Sequence, residues 1–344
     1  MIVVVFYGIY SGNIIQELKM ITTDFLIVGQ GIAGVLTAFA LMQKGKSVVV
    51  FDKDVPDNAS KMAGALLNPV NLNTGKIFPH QQNDFEKAID IYQNLAAFLN
   101  ISFLEKCPLF AFSDKLQENS RLRPCTAVQL AELARYFHNP ANVFYVEDAF
   151  HVRFDRLKPA WRAYLASNNQ WKEVWFDYQE LKINPDNFVY GDMMARHIIF
   201  CEGATGQHNP FFPNQPFTRN LGNILHIDIE GLNPHAGYHF AHQKLIPLGG
   251  QKFWMGSNYV WDFTKPEPNP IWRAEQTALL KKQLRLPFRI TNHFVAERPT
   301  TAGQQPLLRM HPEINNFYFF NGLGTRGFST GAACVEDLMA FMAL

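Results

Sequence analysis

The chain of 344 residues has no excess of charge of either sign: 31 Lys and Arg stand against 30 Asp and Glu, a formal net charge of +1. It therefore has no general attraction for nucleic acid or anionic lipid, and binding of that kind needs a local patch. Cysteine is scarce. Cys107, Cys125, Cys201 and Cys334 lie far apart and never form a CxxC pair, which speaks against a disulfide framework or a zinc knuckle. They read as reduced, mostly buried thiols, the usage of a cytoplasmic protein. Charged residues make up only 18% of the chain, and with 30 Phe and 47% hydrophobic residues it does not have the composition of a disordered protein.

Long apolar runs are also missing. Ile2 to Tyr10 comes nearest, but it has no basic residue before it, contains Gly8 and is too short to span a bilayer. Residues 1–23 read as an N-terminal extension, with 1–19 outside the core fold and Met20 as a possible true start; a hydrophobic tether is the alternative. Repeats and low-complexity linkers are absent. No spacing suggests a Ser-His-Asp triad or paired catalytic carboxylates. His235, His239 and His242 follow helical spacing, but Pro234 and Gly237 break a helix, and a strand sends His239 and His242 to opposite faces, so no metal is expected.

What is present begins at residue 24. DFLIVGQGIAGVLTAFALMQKGKSVVVFDK reads as a buried strand (Phe25 to Val28), a GxGxxG turn (Gly29, Gly31, Gly34), a helix closed by Gly45, and a second buried strand from Ser47 to Phe51 ending in Asp52. In such a βαβ unit the first glycine allows the tight turn, the second lets the backbone approach a pyrophosphate and the third lets helix and strand pack. The helix N-terminus offers amide donors to phosphate. Asp52 is placed to accept hydrogen bonds from ribose hydroxyls, which disfavours a 2′-phosphate and hence NADP. The motif alone does not separate FAD from NAD. The rest of the chain does, because ASKMAGALLNPV (59–70) follows Asp52 where further βα units would be expected, and a second Gly-rich turn leading into a helix appears in FYFFNGLGTRGFSTGAACVEDLMAFM (317–342).

Together with HIIFCEGATG (197–206) and ERPTTAGQQPLL (297–308), these segments resemble the D-amino-acid oxidase superfamily of FAD-dependent oxidoreductases, from Asp24 to the C-terminus. Within it, ASKMAGALLNP and LGTRGFSTGAACVEDL look most like the oxidase domain of the bifunctional enzymes that process the carboxymethylaminomethyl group of tRNA wobble uridine; no methyltransferase motif accompanies them. The resemblance implies an α/β fold, with a discontinuous Rossmann-like FAD domain (24–85, 150–212 and 296–344) interleaved with an α+β substrate domain on an antiparallel sheet (86–149 and 213–295).

It also implies roles. Gly29, Gly31, Ile32, Ala33 and Gly34 would hold the pyrophosphate, and Asp52 and Lys53 the adenosine end. Ser60, Ala63, Gly64 and Ala65 would run beside the flavin, with Gly203 closing a turn near the adenosine. Gly322, Leu323, Gly324, Thr325, Arg326, Gly327 and Phe328 would wrap the isoalloxazine. Glu202 departs from the small apolar residue usual there. Arg298 is expected either to grip a substrate carboxylate or to tie its loop to Glu297 or a neighbour. Arg326 is a rival anchor, equally suited to steadying the flavin loop. Lys244 aligns loosely with a substrate-facing position, although its strand reads more simply as carrying a solvated edge lysine. The implied activity is hydride removal from a carbon beside an amine, on a small amine or amino acid, with non-covalent FAD reoxidised by oxygen or another acceptor. Oxidative processing of a modified tRNA nucleoside and a non-catalytic flavin-binding subunit are the alternatives.

Overall fold

The computed structural model describes residues 20–344 and the backbone of Val3 and Val4. The expectation for residues 1–19 thus falls almost wholly outside the described residues. Met20–Val28 is one continuous strand, so the segment assigned to the extension contributes four residues to the sheet beyond the apolar run. They pair with the start of Met193–Phe200, in a parallel register running from Ile21 with Met193 to Val28 with Phe200.

Four parallel strands form the middle of a mixed sheet. Val48–Phe51, Met20–Val28 and Met193–Phe200 lie side by side, and Phe317–Asn321 pairs with the second half of Met193–Phe200. Its first half pairs instead with antiparallel Phe188–Tyr190. Phe25 to Val28 and Val48 to Phe51 are buried throughout, as unbroken apolar runs in a covered parallel sheet should be. Trp171–Lys172 adds a parallel edge that stops after two residues, shorter than the strand to Phe176 that the sequence suggests, because Val48–Phe51 has ended. Four helices cover one face: Ile32–Gln43, Pro79–Leu99, Phe154–Ser167 and Gly327–Phe341. Gly45, at φ +70°, ends the first of them, as the sequence implied.

The chain leaves this sheet to build an eight-stranded one, in the order Phe288–Thr301, Phe217–Ile229, Lys252–Gly256, Gln243–Gly249, Gly237–Phe240, Leu109–Phe112, Val143–Val146 and Arg123–Pro124. The sequence reads as two antiparallel strands, Lys244 to Leu248 and Lys252 to Tyr259, joined through Gly249 and Gly250; that hairpin is present, both glycines having positive φ. The sequence reads as helical from Leu157 to Ser167 and from Ile271 to Leu284, and the structure has the helices Phe154–Ser167 and Pro270–Gln283 there. Gln243–Gly249 has a neighbour on either side, so Lys244 does not sit on a sheet edge.

Candidate active site

The four parallel strands end together, and the residues following them are those the sequence singled out: Gly29, Asp52, Cys201 to Gly203, and Gly322. This is the strand-end crevice where open α/β sheets bind ligands. The local geometry leaves no room for larger residues. A Cβ on Gly29 (φ +104°) would lie 2.4 Å from the Cys201 carbonyl oxygen, and one on Gly34 would lie 2.0 Å from the Gly29 carbonyl oxygen. Gly31 is the more open of the three: a Cβ there would lie 3.3 Å from the Ser60 hydroxyl. The Ser60 hydroxyl in turn accepts the Ile32 amide at 3.0 Å, tying the second loop to the helix start. Ala33 packs inward with the same helix.

Asp52 accepts the Gln30 amide at 3.0 Å. Its other oxygen lies 3.4 Å from the Lys158 ammonium, which also reaches Asp54 at 3.2 Å. Arg162 meets Asp54 at 3.1 Å while stacking on Trp171. Burial alone would raise the Asp54 carboxyl, but hydrogen bonds from Lys61, Arg162 and Lys158 outweigh it and hold Asp54 well below the usual carboxylate range. Lys158 and Arg162 carry no motif, and they reach Asp52 only because Phe154–Ser167 packs there. Lys53 is different: its exposed side chain turns toward Glu173 at 4.0 Å, so only its backbone stays with Asp52.

Gly203 adopts φ +61°, and its carbonyl accepts the Asn321 carboxamide at 2.9 Å, coupling two strand ends. The adjoining Glu202 is half-buried, accepting hydrogen bonds from the Tyr178 hydroxyl and, at 2.8 Å, from Asn209. Burial raises its pKa. The departure at 202 is accommodated by partners the sequence pattern did not reveal.

Beyond these strand ends opens a cavity of about 700 Å³. Ala63, Gly64 and Ala65 line one wall and Gly324, Thr325, Arg326 and Phe328 another. Gly322 and Leu323 lie behind: Leu323 is buried in the core, and Gly327 abuts both Leu323 and Ile32. Tyr92 donates to the Phe328 carbonyl at 2.8 Å, fixing the start of Gly327–Phe341. The eight-stranded sheet is the roof. The Trp254 indole donates to the Met62 carbonyl at 2.9 Å, and a Cβ on Gly64 would strike Ile246 at 2.7 Å, so loop and roof are in close contact.

Arg298 and Lys244 both line the cavity from that roof. Of the structural ties expected for Arg298, the one to Glu297 is not made, since Glu297 pairs outward with Arg219 at 3.1 Å, but ties to other neighbours are. Arg298 is 9% exposed, and it donates to the Asn220 carboxamide, to Ser257 Oγ at 2.6 Å and to the Asn258 carbonyl at 3.0 Å. All three acceptors are neutral. Gly222 makes the space, because a Cβ there would lie 1.9 Å from the guanidinium. Lys244 also corrects the sequence reading of a solvated lysine. Burial, then the nearby Arg326 and Arg298, lower its pKa. Burial likewise lowers Arg326. The cavity walls thus carry three cationic side chains and, among the described residues, no Asp or Glu. Ser257, Asn258, Asn220 and Gly222 went unnoticed in the sequence, since strand register alone brings them to Arg298. Among the described residues no group of three His, Cys, Asp or Glu is placed to hold a metal, and no helix is long and apolar enough to cross a membrane.

A glycine cradle at the ends of parallel strands, a carboxylate at the end of the second of them and a second Gly-rich loop before a helix N-terminus define a dinucleotide-dependent redox enzyme roofed by an antiparallel sheet. Comparison with known proteins makes this specific: residues 24–340 match the family model for FAD dependent oxidoreductases, DAO, and the chain belongs to that family. Similar solved structures include iminodiacetate oxidase from a Chelativorans species (TM-score 0.74, 16% identity, 93% of this chain and 95% of that one). Glycine oxidase from Bacillus cereus gives the same values, and L-proline dehydrogenase from P. horikoshii gives a TM-score of 0.71 at 12% identity, with 93% of each chain covered.

Proposed function

We propose that the protein oxidises the C–N bond of a small amino acid or amine by hydride transfer to non-covalently bound FAD, with oxygen as the terminal acceptor. The observation that carries the substrate class is Arg298: a guanidinium held inside the cavity by neutral acceptors keeps its full charge for a ligand. A carboxylate is the natural counter-ion, and it would compete with the Ser257 hydroxyl, the one acceptor in the set free to rotate away. The names of the structural relatives, which include oxidases and a dehydrogenase of amino acids, support the same class.

FAD, when bound, supplies the two-electron acceptor. The chain's residues supply position and field. Arg298 fixes the carboxylate end, so the carbon bearing the nitrogen is presented to the wall formed by Ala63 to Ala65 and Gly324 to Phe328. Trp254, Ile246 and Ile224 cover the cavity with apolar surface and limit water there. No lining carboxylate is available as a general base, which suits a substrate entering with a neutral amine; the imine product then hydrolyses in water. None of the four cysteines lines the cavity, which supports non-covalent attachment. Acid precipitation should leave yellow FAD in the supernatant, and aerobic incubation with amino acids, N-substituted amino acids and simple amines should yield peroxide. Colour retained in the pellet contradicts the attachment, and a peroxide-negative panel contradicts the activity.

A further inference from the structure

We propose that the substrate carries two anionic groups, and that Lys244, with His239 beside it, forms the subsite for the second one. The inference rests on the amino-acid reading above and narrows it to amino dicarboxylates and N-carboxyalkyl amino acids.

Three cations line the cavity, and the described lining offers no acid to neutralise them. Arg298 answers the carboxylate of any amino acid. Arg326 directly precedes the last helix, on the wall where the flavin ring is expected, and Asp84 also acts on it favourably. Lys244 is left with no counter-charge. Its electrostatic neighbours are the other two cations, an arrangement that costs stability unless a ligand repays it.

Strand pairing supplies the second, independent observation. Lys244 is the direct antiparallel partner of His239, so the two side chains stand on the same face of the roof. On its other side Lys244 faces Gly256, which has no side chain to fill the space between. His239 lines the cavity, is only 4% exposed, and leaves its Nδ1 without a hydrogen-bond partner. Burial and then Lys244 hold this imidazole neutral, its pKa lowered to about 3. A neutral imidazole still has one N–H to donate, and a buried polar atom without a partner is costly unless something binds it. An ammonium and an imidazole side by side, away from the Asn220 and Ser257 cradle of Arg298, suit a carboxylate. They do not suit the apolar side chain of a neutral amino acid.

The test uses the FAD-loaded enzyme and two readouts. Visible-spectrum titration with the unreactive ligands malonate, succinate, acetate and propionate reads binding without turnover. Anaerobic reduction by aspartate, glutamate and iminodiacetate, set against glycine, alanine and sarcosine, reads substrate preference. Wild type should favour a dianion by about tenfold or more in both, the scale of one desolvated charge pair. Lys244→Met should collapse that ratio toward unity, and Lys244→Arg should restore most of it, which separates lost charge from lost folding. Equal affinity for monoanions and dianions in wild type, or a ratio that survives Lys244→Met, overturns the proposal. If dianions perturb the spectrum as expected but no amine reduces the enzyme, the oxidase reading fails while the anion subsite stands.

Discussion

At the scale of single residues, Arg298 and Gly222 act as a pair. Arg298→Lys keeps the positive charge but loses the planar donor set. It should raise the amino-acid concentration for half-maximal flavin reduction about tenfold or more, the cost of a charge-assisted bond. Gly222→Ala tests the same idea without altering any charge. Its methyl group would occupy the guanidinium's place, so the rise should be similar while FAD content is retained. Stopped-flow reduction beside a melting curve distinguishes the cases; a purely structural Arg298 would lower stability and leave substrate affinity unmoved. Arg298 was legible as a cavity residue because the RP pair is a local pattern. Its cradle was not, because Asn220 and Ser257 are 78 and 41 residues away and meet it only through sheet register.

At the scale of elements, the first βαβ unit could be read residue by residue, since each glycine answers a contact inside a short segment. Gly31→Leu should abolish FAD retention, as its side chain would enter the pyrophosphate's path beside Ser60. Asp52→Ala should weaken FAD binding about tenfold or more, and it should also strand Lys158 beside Asp54. Equilibrium dialysis with FAD reads this; unchanged FAD affinity would contradict the ribose assignment. Lys158 itself could not have been found from the sequence. Its helix was expected, but which face meets the end of Val48–Phe51 is a tertiary fact. Lys244 shows the same limit in reverse. An isolated strand pattern does not say whether a strand is at an edge, and here neighbours on both sides turn its lysine inward.

At the scale of the whole molecule, the cofactor sheet was legible because the turns at Gly29, Gly203 and Gly322 sit at the ends of parallel strands, where sequence pattern and ligand chemistry coincide. The eight-stranded roof was only partly legible. Its long pairing of Phe217–Ile229 with Phe288–Thr301 joins segments separated by three other strands and a helix, and no local pattern marks the match. Acid stability is also a property of the assembled molecule. His151 is buried with Nδ1 unpartnered, and burial followed by Arg153 lowers its pKa to about 4, against 6.5 in a free chain. Between these values the unfolded state binds the extra proton. Stability should therefore fall as pH drops below about 6.5 and level off near 4, a loss on the order of 3 kcal/mol from this group. Denaturant titration across that range should show the slope, and His151→Gln should flatten it.

The central claim, that this FAD-dependent enzyme draws electrons from a carbon beside nitrogen in a carboxylate-bearing substrate, is tested most directly by anaerobic mixing of the yellow protein with the amino-acid panel. The account predicts loss of the oxidised flavin's visible absorption with at least one amino or N-substituted amino acid, saturating with concentration, and no loss with the matching carboxylic acid that lacks the nitrogen. Flavin that stays oxidised with every amine, yet bleaches with a chemical reductant, would contradict it.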